Sequence, residues 1–254
     1  MTQTSIAVVN QKGGVGKTTT AINVAAQLAD GKHSVLLVDL DPQGNATSGL
    51  GLAKEQAKHT TYDVMVGGVS LASAVQETHV AQLFVLPANA NLAGAEVELV
   101  AAARREFQLA QVLQSGNYDY VIIDCPPSLG LLTINGLTAA HKVLIPVQAE
   151  YYALEGLSQL LHTVQAVRGS TNPRLELLGI VLTMFDKRNS LSEQVQTEVA
   201  NYFGEKLFKT IIPRNVRLAE APSYGLTIYE HDRWSKGARA YKALAKEVRD
   251  RLAG

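Results

Sequence analysis

Residues 10–20 read Asn10-Gln11-Lys12-Gly13-Gly14-Val15-Gly16-Lys17-Thr18-Thr19-Thr20. This stretch follows a short apolar run at residues 5–9 and opens a helical pattern at residues 17–29. Glycines let successive backbone N–H groups point into one concavity, and the start of a helix adds positive potential there. A lysine at the first helical position suits the β and γ phosphates, and the threonine after it suits Mg²⁺. The stretch therefore predicts a loop that binds a nucleoside triphosphate.

The residues expected to contact the nucleotide belong to the loop and the first helical turn: Gly13, Gly14, Val15, Gly16, Lys17, Thr18 and Thr19. The alternative is a glycine-rich turn without function. That alternative does not account for the strand pattern before the loop together with the helix pattern after it.

The rest of the chain alternates short β-branched runs with longer helical patterns. Strands are predicted at residues 5–9, 35–39, 83–86, 120–124, 143–147, 178–184 and 208–212. Helices are predicted at residues 17–29, 96–114, 132–140, 154–167, 192–203 and 237–252. Because the strands are nearly all apolar, they suit a buried parallel sheet. The pattern predicts a three-layer, doubly wound α/β fold forming a single domain over residues 1–254, with a mobile connection at 49–68.

The loop departs from the general P-loop pattern, which requires glycine five residues before Gly16, where this chain has Gln11. It matches instead the deviant form KGGxGKT, with an additional lysine at Lys12. In this respect the chain resembles the deviant Walker ATPases, and among them the ParA/Soj chromosome and plasmid partitioning proteins, over nearly its whole length. The resemblance implies an ATPase that uses ATP and Mg²⁺ and forms a homodimer in the ATP state.

Two acidic residues lie at the end of the strand predicted at residues 35–39, one as its last residue and one just after it. Asp39 and Asp41 are two positions apart and therefore share one side of the strand, at the edge where this fold binds ligands. The resemblance gives Asp41 the role of positioning the attacking water near the metal. The alternative is an aspartate that forms a turn before Pro42.

A second acid-tipped strand is predicted at residues 120–124, and Pro126 and Pro127 follow it. It resembles the Walker B segment, which implies that Asp124 holds Mg²⁺ through water. Together the residues predicted to surround the metal are Thr18, Asp41 and Asp124. Cys125 follows this aspartate, and we assign it no chemistry.

The catalytic residues are predicted to be Lys12, Lys17 and Asp41, which act by charge neutralisation and positioning. In the resembled family the lysine at the position of Lys12 reaches across the dimer to the partner's nucleotide, as an arginine finger does elsewhere. A solvated turn lysine is the alternative for Lys12. The resemblance also assigns Met184, Pro213 and Asn215 to the adenine, although ordinary strand-to-helix loops are an equal alternative for any one of them.

Charge is unevenly distributed along a chain whose formal net charge is 0. Residues 1–150 hold 8 Lys and Arg against 12 Asp and Glu, whereas residues 151–254 hold 15 against 11. A polyanion is therefore expected to meet the C-terminal part. Arg188, Arg214 and Arg217, with Lys187 and Arg168 as further candidates, predict sequence-independent contacts to phosphates of double-stranded DNA. The alternative is that these are solvated charges.

The resemblance implies a centromere-binding partner of the ParB/Spo0J type. One cysteine, no signal segment and no membrane-spanning stretch predict a cytoplasmic protein without stable membrane insertion. The DNA binding that the resemblance implies would associate it with the nucleoid. A single cysteine cannot supply the four thiolates of a cluster shared across a dimer, as in nitrogenase iron proteins. The remaining alternative is a MinD-like membrane-cycling ATPase that positions a cell-division complex or another cargo. In that alternative the helix at residues 237–252 would be a basic amphipathic anchor, whereas we expect it to pack against the sheet.

Overall fold

A computed structural model of the protein describes residues 3–150 and 153–253. Its strands are β1 (Thr4–Val8), β2 (Val35–Asp39), β3 (Gln76–Glu77), β4 (Leu83–Leu86), β5 (Tyr120–Asp124), β6 (Lys142–Gln148) and β7 (Glu176–Thr183). They form one sheet in the order β3-β4-β2-β5-β1-β6-β7, in which every neighbouring pair is parallel except β3 with β4. The predicted mostly parallel sheet is confirmed.

Twelve α-helices are described. They are α1 (Lys17–Leu28), α2 (Asn45–Gly49), α3 (Thr61–Met65), α4 (Leu71–Ala74), α5 (Leu92–Glu98), α6 (Gln108–Leu113), α7 (Leu131–Ala139), α8 (Ala153–Ser170), α9 (Ser190–Phe203), α10 (Val216–Glu220), α11 (Ile228–Asp232) and α12 (Lys236–Ala253). Short 3₁₀ turns lie at Lys54–Gln56, Leu99–Ala101, Arg105–Phe107, Gly204–Lys206 and Ala221–Tyr224.

The core consists of two apolar layers, one on each face of the sheet. Successive residues of one strand enter opposite layers: Leu36 belongs to one cluster and Leu37 to the other, and Ile123 and Ile122 divide in the same way. This alternation follows from the two-residue period of a strand. Because both faces are covered, the strands are apolar throughout, and the predicted three-layer arrangement is confirmed.

The register of the central strands brings the ligand-facing ends together. Asp39 of β2 lies opposite Asp124 of β5, and Asp124 lies opposite Val8 of β1 on its other side. The loop that follows β1 and both acid-tipped strand ends therefore meet at the same edge of the sheet. This is the edge at which parallel α/β sheets bind ligands.

The strand predicted at residues 208–212 is wrong. The segment runs beside β7 but makes only isolated bridges, from Leu207 to Ile180 and from Pro213 to Phe185. The reason lies in the N–H groups of Lys209 and Thr210, which donate to the Glu247 carboxylate of α12 at 2.9 and 3.0 Å. These two donors satisfy a side chain of the helix layer and do not form a strand ladder.

The long helix predicted at residues 96–114 is also wrong. The chain instead forms α5, two 3₁₀ turns and α6, and Arg104 between them has a φ of 54°, which no right-handed helix allows. Asn135 of α7 stabilises the break, since its side chain accepts from Leu109 N–H and donates to the Arg105 carbonyl. The connection predicted at residues 49–68 also differs, because it contains a 3₁₀ turn and α3.

The last helix packs inward, as expected. Tyr241, Leu244 and Val248 of α12 are buried, and α12 packs against α1. The buried Tyr241 hydroxyl lies 3.1 Å from the Thr20 hydroxyl of α1. The apolar face that a membrane anchor requires is thus occupied by the core. Across residues 3–150 and 153–253, every helix is too short or too polar to cross a bilayer.

We predict that His141 makes the protein less stable in mild acid. Ser5 N–H donates to Nδ1 of His141 at 3.0 Å, and desolvation with the charges of Arg174 and Lys142 lowers the pKa of this imidazole below 6.5. Because the unfolded chain takes up a proton that the folded chain resists, the free energy of unfolding falls as the pH drops below about 6.5.

Urea denaturation across this pH range measures the effect. His141→Asn is the matched variant, since its Oδ1 replaces Nδ1 as acceptor but does not titrate. Its acid-dependent loss of stability should be smaller than that of the wild type. Equal pH dependence in both proteins would contradict the role of His141.

Candidate active site

The loop between β1 and α1 is shaped by two left-handed glycines. Gly14 has a φ of 75°, and Gly16, which immediately precedes α1, has a φ of 86°. Side chains at these positions would strain the backbone. Among the described residues no side chain caps the first turn of α1, and that turn contains no acidic residue. Its free N–H groups are therefore available to an anion.

Two polar side chains that the sequence analysis missed fasten this loop to the sheet. Asn10 donates to the Pro146 carbonyl at 2.7 Å and accepts from Lys12 N–H at 3.0 Å. Thr183, at the end of β7, donates to the Val15 carbonyl at 2.8 Å. The Val15 side chain is buried, so only its N–H group remains to serve a nucleotide. Both contacts join residues far apart in the chain, and no local pattern reveals them.

Lys17 is buried with its amine directed back into the loop. Its Nζ donates to the Lys12 carbonyl at 3.0 Å. Burial lowers the pKa of this amine, while the carboxylates of Asp124 and Asp41 oppose the change. The amine thus lies in a poorly solvated site beside two acids, where a phosphate contact is strong.

Asp39 and Asp124 differ sharply although they are register partners. Asp39 accepts hydrogen bonds from Thr47 N–H, the Thr47 hydroxyl and Asp41 N–H at 2.8, 2.7 and 3.2 Å. Burial raises the pKa of Asp39 to about 6. Asp124 is fully buried, and neither of its oxygens has a hydrogen bond of normal geometry among the described residues, although the Thr18 hydroxyl lies near enough to oppose the rise in its pKa. Burial, and then the charge of Asp39, raise the pKa of Asp124 well above its usual range.

The unpartnered Asp124 carboxylate suits a cation. Buried acids are normally hydrogen-bonded, and an exception calls for a ligand that is added later. Across residues 3–150 and 153–253, no three His, Cys, Asp or Glu side chains form a metal cluster. Mg²⁺ typically takes only one or two carboxylates and completes its shell with water and phosphates, which fits this arrangement.

Asp41 lies where the sequence predicted. It is nearly buried, it lines the same cavity as Lys17 and Thr18, and its carboxylate accepts from Gln43 N–H at 2.9 Å. The Asp39 carboxylate, by contrast, already accepts three hydrogen bonds from Thr47 and Asp41, and these bonds stabilise the turn after β2. The geometry therefore leaves Asp41 as the acid with oxygen capacity facing the cavity.

A buried hydroxyl network, not found from the sequence, holds the segment that carries Asp41. The Thr47 hydroxyl donates to Asp39 and accepts from Ala88 N–H at 3.0 Å. The Thr61 hydroxyl donates to the Asp39 carbonyl at 2.8 Å. Gly44 approaches this network so closely that a Cβ would lie 2.5 Å from the Ala88 carbonyl. The segment therefore has one well-defined position relative to the sheet.

Two adjoining cavities extend from the loop. The first, of about 410 Å³, is lined by Gly13, Gly14, Gly16, Lys17, Thr18, Thr19, Ile22, Asp41, Gln43, Asn45, Ser48, Pro127, Met184 and Pro222. The second, of about 340 Å³, is lined by Gly16, Thr19, Thr183, Met184, Ile212, Pro213, Arg214, Asn215, Val216, Leu218, Ala219 and Tyr241. The first is rich in polar groups and backbone N–H donors. The second is largely apolar, as a flat heterocycle requires.

The three residues assigned to the base line the second cavity together. Met184 also lines the first cavity and has a φ of 51°, a conformation that is uncommon for residues other than glycine. Asn215 caps α10 by accepting from Arg217 N–H at 3.0 Å, so its amide NH₂ is the group left for a ligand. The three residues therefore lie together, and their contact with a base stays a prediction.

Lys12 lies apart from these cavities, and the buried Val15 and Asp124 are also absent from their linings. The Lys12 carbonyl meets Lys17, but its ammonium pairs with Glu150 at 2.8 Å, and both side chains are about half exposed. An exposed pair of this kind contributes little to stability. The side chain is therefore free to exchange Glu150 for another anion, and its role across a dimer stays a prediction.

A third cavity, of about 870 Å³, carries a concentration of positive charge. Its lining is Phe185, Asp186, Lys187, Arg188, Ile211, Pro213, Arg214, Val216, Lys236, Arg239 and Ala240. Lys236 and Arg239 were missed by the sequence analysis, although their spacing of three in a helix places them on one face. We call Lys187, Arg188, Arg214, Lys236 and Arg239 the basic surface.

The other predicted arginines have different surroundings. Arg188 makes two hydrogen bonds to Asp186, while Arg217 lies outside the cavity lining and pairs with Glu220 at 2.8 Å. Arg168 is remote from the basic surface: it lies in the last turn of α8 near Glu176, at the opposite end of β7, where the hydrogen bond from Lys142 is the main cause, and the charge of Arg168 a lesser one, of the lowered pKa of that carboxyl. Arg188 and Arg214 therefore line the same cavity, and Arg168 lies outside it.

These features define a P-loop ATPase, and comparison with known proteins gives its family. A family model described as an AAA domain matches residues 3–177. The sporulation initiation inhibitor protein Soj of Bacillus subtilis is 56% identical over 245 residues, covering 96% of this chain and 97% of the relative. The chromosome partitioning protein ParA of Caulobacter vibrioides is 51% identical over 256 residues, covering 98% and 96%. The chain belongs to the ParA/Soj family of chromosome-partitioning ATPases.

A solved structure supports the nucleotide site. It is described as cobyrinic acid a,c-diamide synthase from Mycobacterium smegmatis with bound ADP and magnesium. It is 40% identical with a TM-score of 0.87, and the match covers all of this chain and 96% of that one. The same fold at this level of identity therefore holds a magnesium nucleotide.

We predict that Lys17→Ala weakens MgATP binding by about 100-fold or more, because the loop loses its buried ammonium and the charged hydrogen bonds that it makes to phosphate. Titration calorimetry measures this loss. Lys12→Ala is the matched control in the same loop and should bind MgATP as a monomer with wild-type affinity. Wild-type affinity in Lys17→Ala would show that the loop is not the phosphate site.

Proposed function

We propose that this ATPase is an ATP-dependent dimerising switch that binds double-stranded DNA non-specifically and segregates a chromosome or plasmid. The observation that carries the proposal is the sharing of one segment, residues 213–216, between the nucleotide site and the basic surface. Pro213, Arg214 and Val216 line both the apolar cavity and the basic cavity. A nucleotide base in the apolar cavity therefore contacts residues that also shape the basic cavity.

Hydrolysis is assigned to residues that already converge. Lys17 and the N–H groups of the loop bind the β and γ phosphates, and Asp41 orients the attacking water. Thr18, Asp41 and Asp124 would hold Mg²⁺, the buried Asp124 through a water molecule. The ion supplies neutralisation of phosphate charge when it is bound. Met184, Pro213 and Asn215 hold the adenine.

The dimer completes this site. Each Lys12 exchanges Glu150 for the nucleotide of the partner subunit and stabilises the charge that develops on the departing phosphate. A monomer lacks the Lys12 ammonium of a second subunit, so ATP turnover by the monomer is slow. A centromere-binding protein of the ParB/Spo0J type stimulates ATP turnover, in keeping with the family.

DNA binding is assigned to Arg188, Arg214 and Arg217, and we include Lys236 and Arg239 because they line the same cavity as Arg188 and Arg214. These side chains form no recognition motif, and they contact phosphates without regard to sequence. Because two subunits present two basic faces to one duplex, dimerisation by ATP raises the affinity. The protein, a single domain over residues 1–254, is then held on the nucleoid in the cytoplasm. The MinD-like alternative is disfavoured because the core covers the apolar face of α12.

Asp41→Ala should separate binding from hydrolysis. The variant keeps the phosphate loop but loses the carboxylate that orients water, so MgATP still binds while phosphate release falls by about 100-fold or more. Size exclusion with MgATP should then show a persistent dimer. A variant that stays monomeric, or that still turns over, would place the role elsewhere, for example at Asp39.

Arg214→Ala and Arg217→Ala should each weaken binding to unrelated duplexes equally. Each loss should reduce the slope of log affinity against log salt by about 1, because one phosphate contact and its released counterion are lost. Fluorescence anisotropy over a salt series measures the slope. Arg168→Ala is the matched control at the opposite end of β7 and should leave the slope unchanged. Unchanged slopes in both Arg214→Ala and Arg217→Ala would show that these two arginines do not contact DNA.

A further inference from the structure

Two large aromatic side chains lie exposed beside the basic surface. Trp234 is 74% exposed and Tyr224 is 68% exposed, whereas the core buries Tyr241 and Phe208 almost completely. An exposed indole loses the apolar contacts that normally retain tryptophan in a core. Neither ring contributes to the nucleotide cavities or to the hydrolysis proposed above.

Arg217 is held by two carboxylates of the segment that carries these two rings. It pairs with Glu220 at 2.8 Å and with Asp232 at 3.8 Å. Glu220 also lies 3.4 Å from His231, on which the Tyr224 ring stacks with centroids 5.1 Å apart. Asp232 also accepts from the backbone N–H of Trp234 at 3.1 Å, so Arg217 and the Trp234 backbone share this carboxylate. We call Tyr224, Arg217 and Trp234 the aromatic platform.

The carboxylates beside the platform are paired with arginine, and further cations lie along the same segment. Glu220 and Asp232 are both engaged by Arg217, and the Arg233 guanidinium lies 4.8 Å from the centroid of the Trp234 ring. Lys236, two residues after Trp234, already belongs to the basic surface. An exposed indole with a guanidinium over its face, two residues before a lysine of the cationic cavity, has the chemistry that binds single strands, in which bases stack on aromatic rings while phosphates follow the positive groove.

We propose that the aromatic platform binds single-stranded DNA by stacking an unpaired base on Trp234. In a duplex the faces of the bases are covered by their neighbours, so only an unpaired base offers its face to the indole. The phosphates that flank this base then reach Arg217 and the basic surface. The inference rests on the proposed function in sharing that surface, but it adds a ligand class that duplex binding does not require.

The test uses the fact that Trp234 is the only tryptophan in the chain, so intrinsic tryptophan fluorescence reports on this position alone. Wild-type protein, with and without MgATP, is titrated with single-stranded oligo(dT). The expected result is saturable quenching. Trp234→Ala should bind fluorescein-labelled oligo(dT) roughly five- to 100-fold more weakly by anisotropy, which corresponds to the loss of one stacked base. Its affinity for duplex DNA should stay within about twofold.

Three controls distinguish stacking from other causes. Trp234→Phe should recover much of the affinity because it keeps an aromatic face, whereas Trp234→Leu should not. Tyr202→Ala removes a ring that is 76% exposed on α9, away from the basic surface, and should bind oligo(dT) as the wild type does. Phosphatidylglycerol vesicles test the other surface that attracts tryptophan and basic residues.

The proposal is overturned if oligo(dT) leaves the fluorescence unchanged, or if Trp234→Ala or Trp234→Leu binds oligo(dT) as tightly as the wild type. It is also overturned if vesicles, and not oligo(dT), change the fluorescence. Loss of duplex binding in Arg214→Ala with no effect of Trp234→Ala on oligo(dT) removes the platform alone. Absence of duplex binding in the wild type removes the proposed function, and it does so without reference to Trp234.

Discussion

The site depends on a buried carboxylate that has no hydrogen bond of normal geometry among the described residues. Asp124 ends the central strand β5, and Lys17 is the cation whose charge opposes the rise in its pKa. An isolated buried charge costs several kcal/mol, so each of these groups needs the other and the ligand between them. The parallel register fixes their proximity. A shift of β5 by one residue would turn Asp124 toward the other helix layer and leave Lys17 without its acid.

The same edge of the sheet connects the nucleotide to the far surface. The loops after β7 and before α10 contribute Met184 to the nucleotide cavities, and Pro213 and Arg214 to both the apolar and the basic cavity. The left-handed backbone at Met184 is a conformation that its surroundings must impose. Under the proposed function, a base that fills the apolar cavity changes what the basic cavity packs against. We therefore propose this shared wall as the physical route by which ATP and DNA influence each other.

The sequence pattern predicted correctly those parts of the fold that are determined by residues close together in the chain. The phosphate loop, the apolar strands and the acids at their ends follow from glycine geometry, strand period and parallel topology. The errors arose where distant side chains override the local pattern: Glu247 takes the N–H groups of residues 209–210, and Asn135 stabilises the break in the helix predicted at residues 96–114. For the same reason Asn10, Thr47 and Thr183 were missed, since their partners lie far along the chain. Lys236 and Arg239 join the basic surface only through tertiary packing.

The central claim is that ATP, acting through this shared wall and through dimerisation, permits DNA binding. The most direct measurement is the affinity of the wild-type protein for an unrelated DNA duplex, by fluorescence anisotropy, in MgATP, in MgADP and without nucleotide. The account predicts tight binding in MgATP and weak binding in the other two conditions. Equal affinity in all three conditions would contradict it, because the nucleotide site and the basic surface would then act independently.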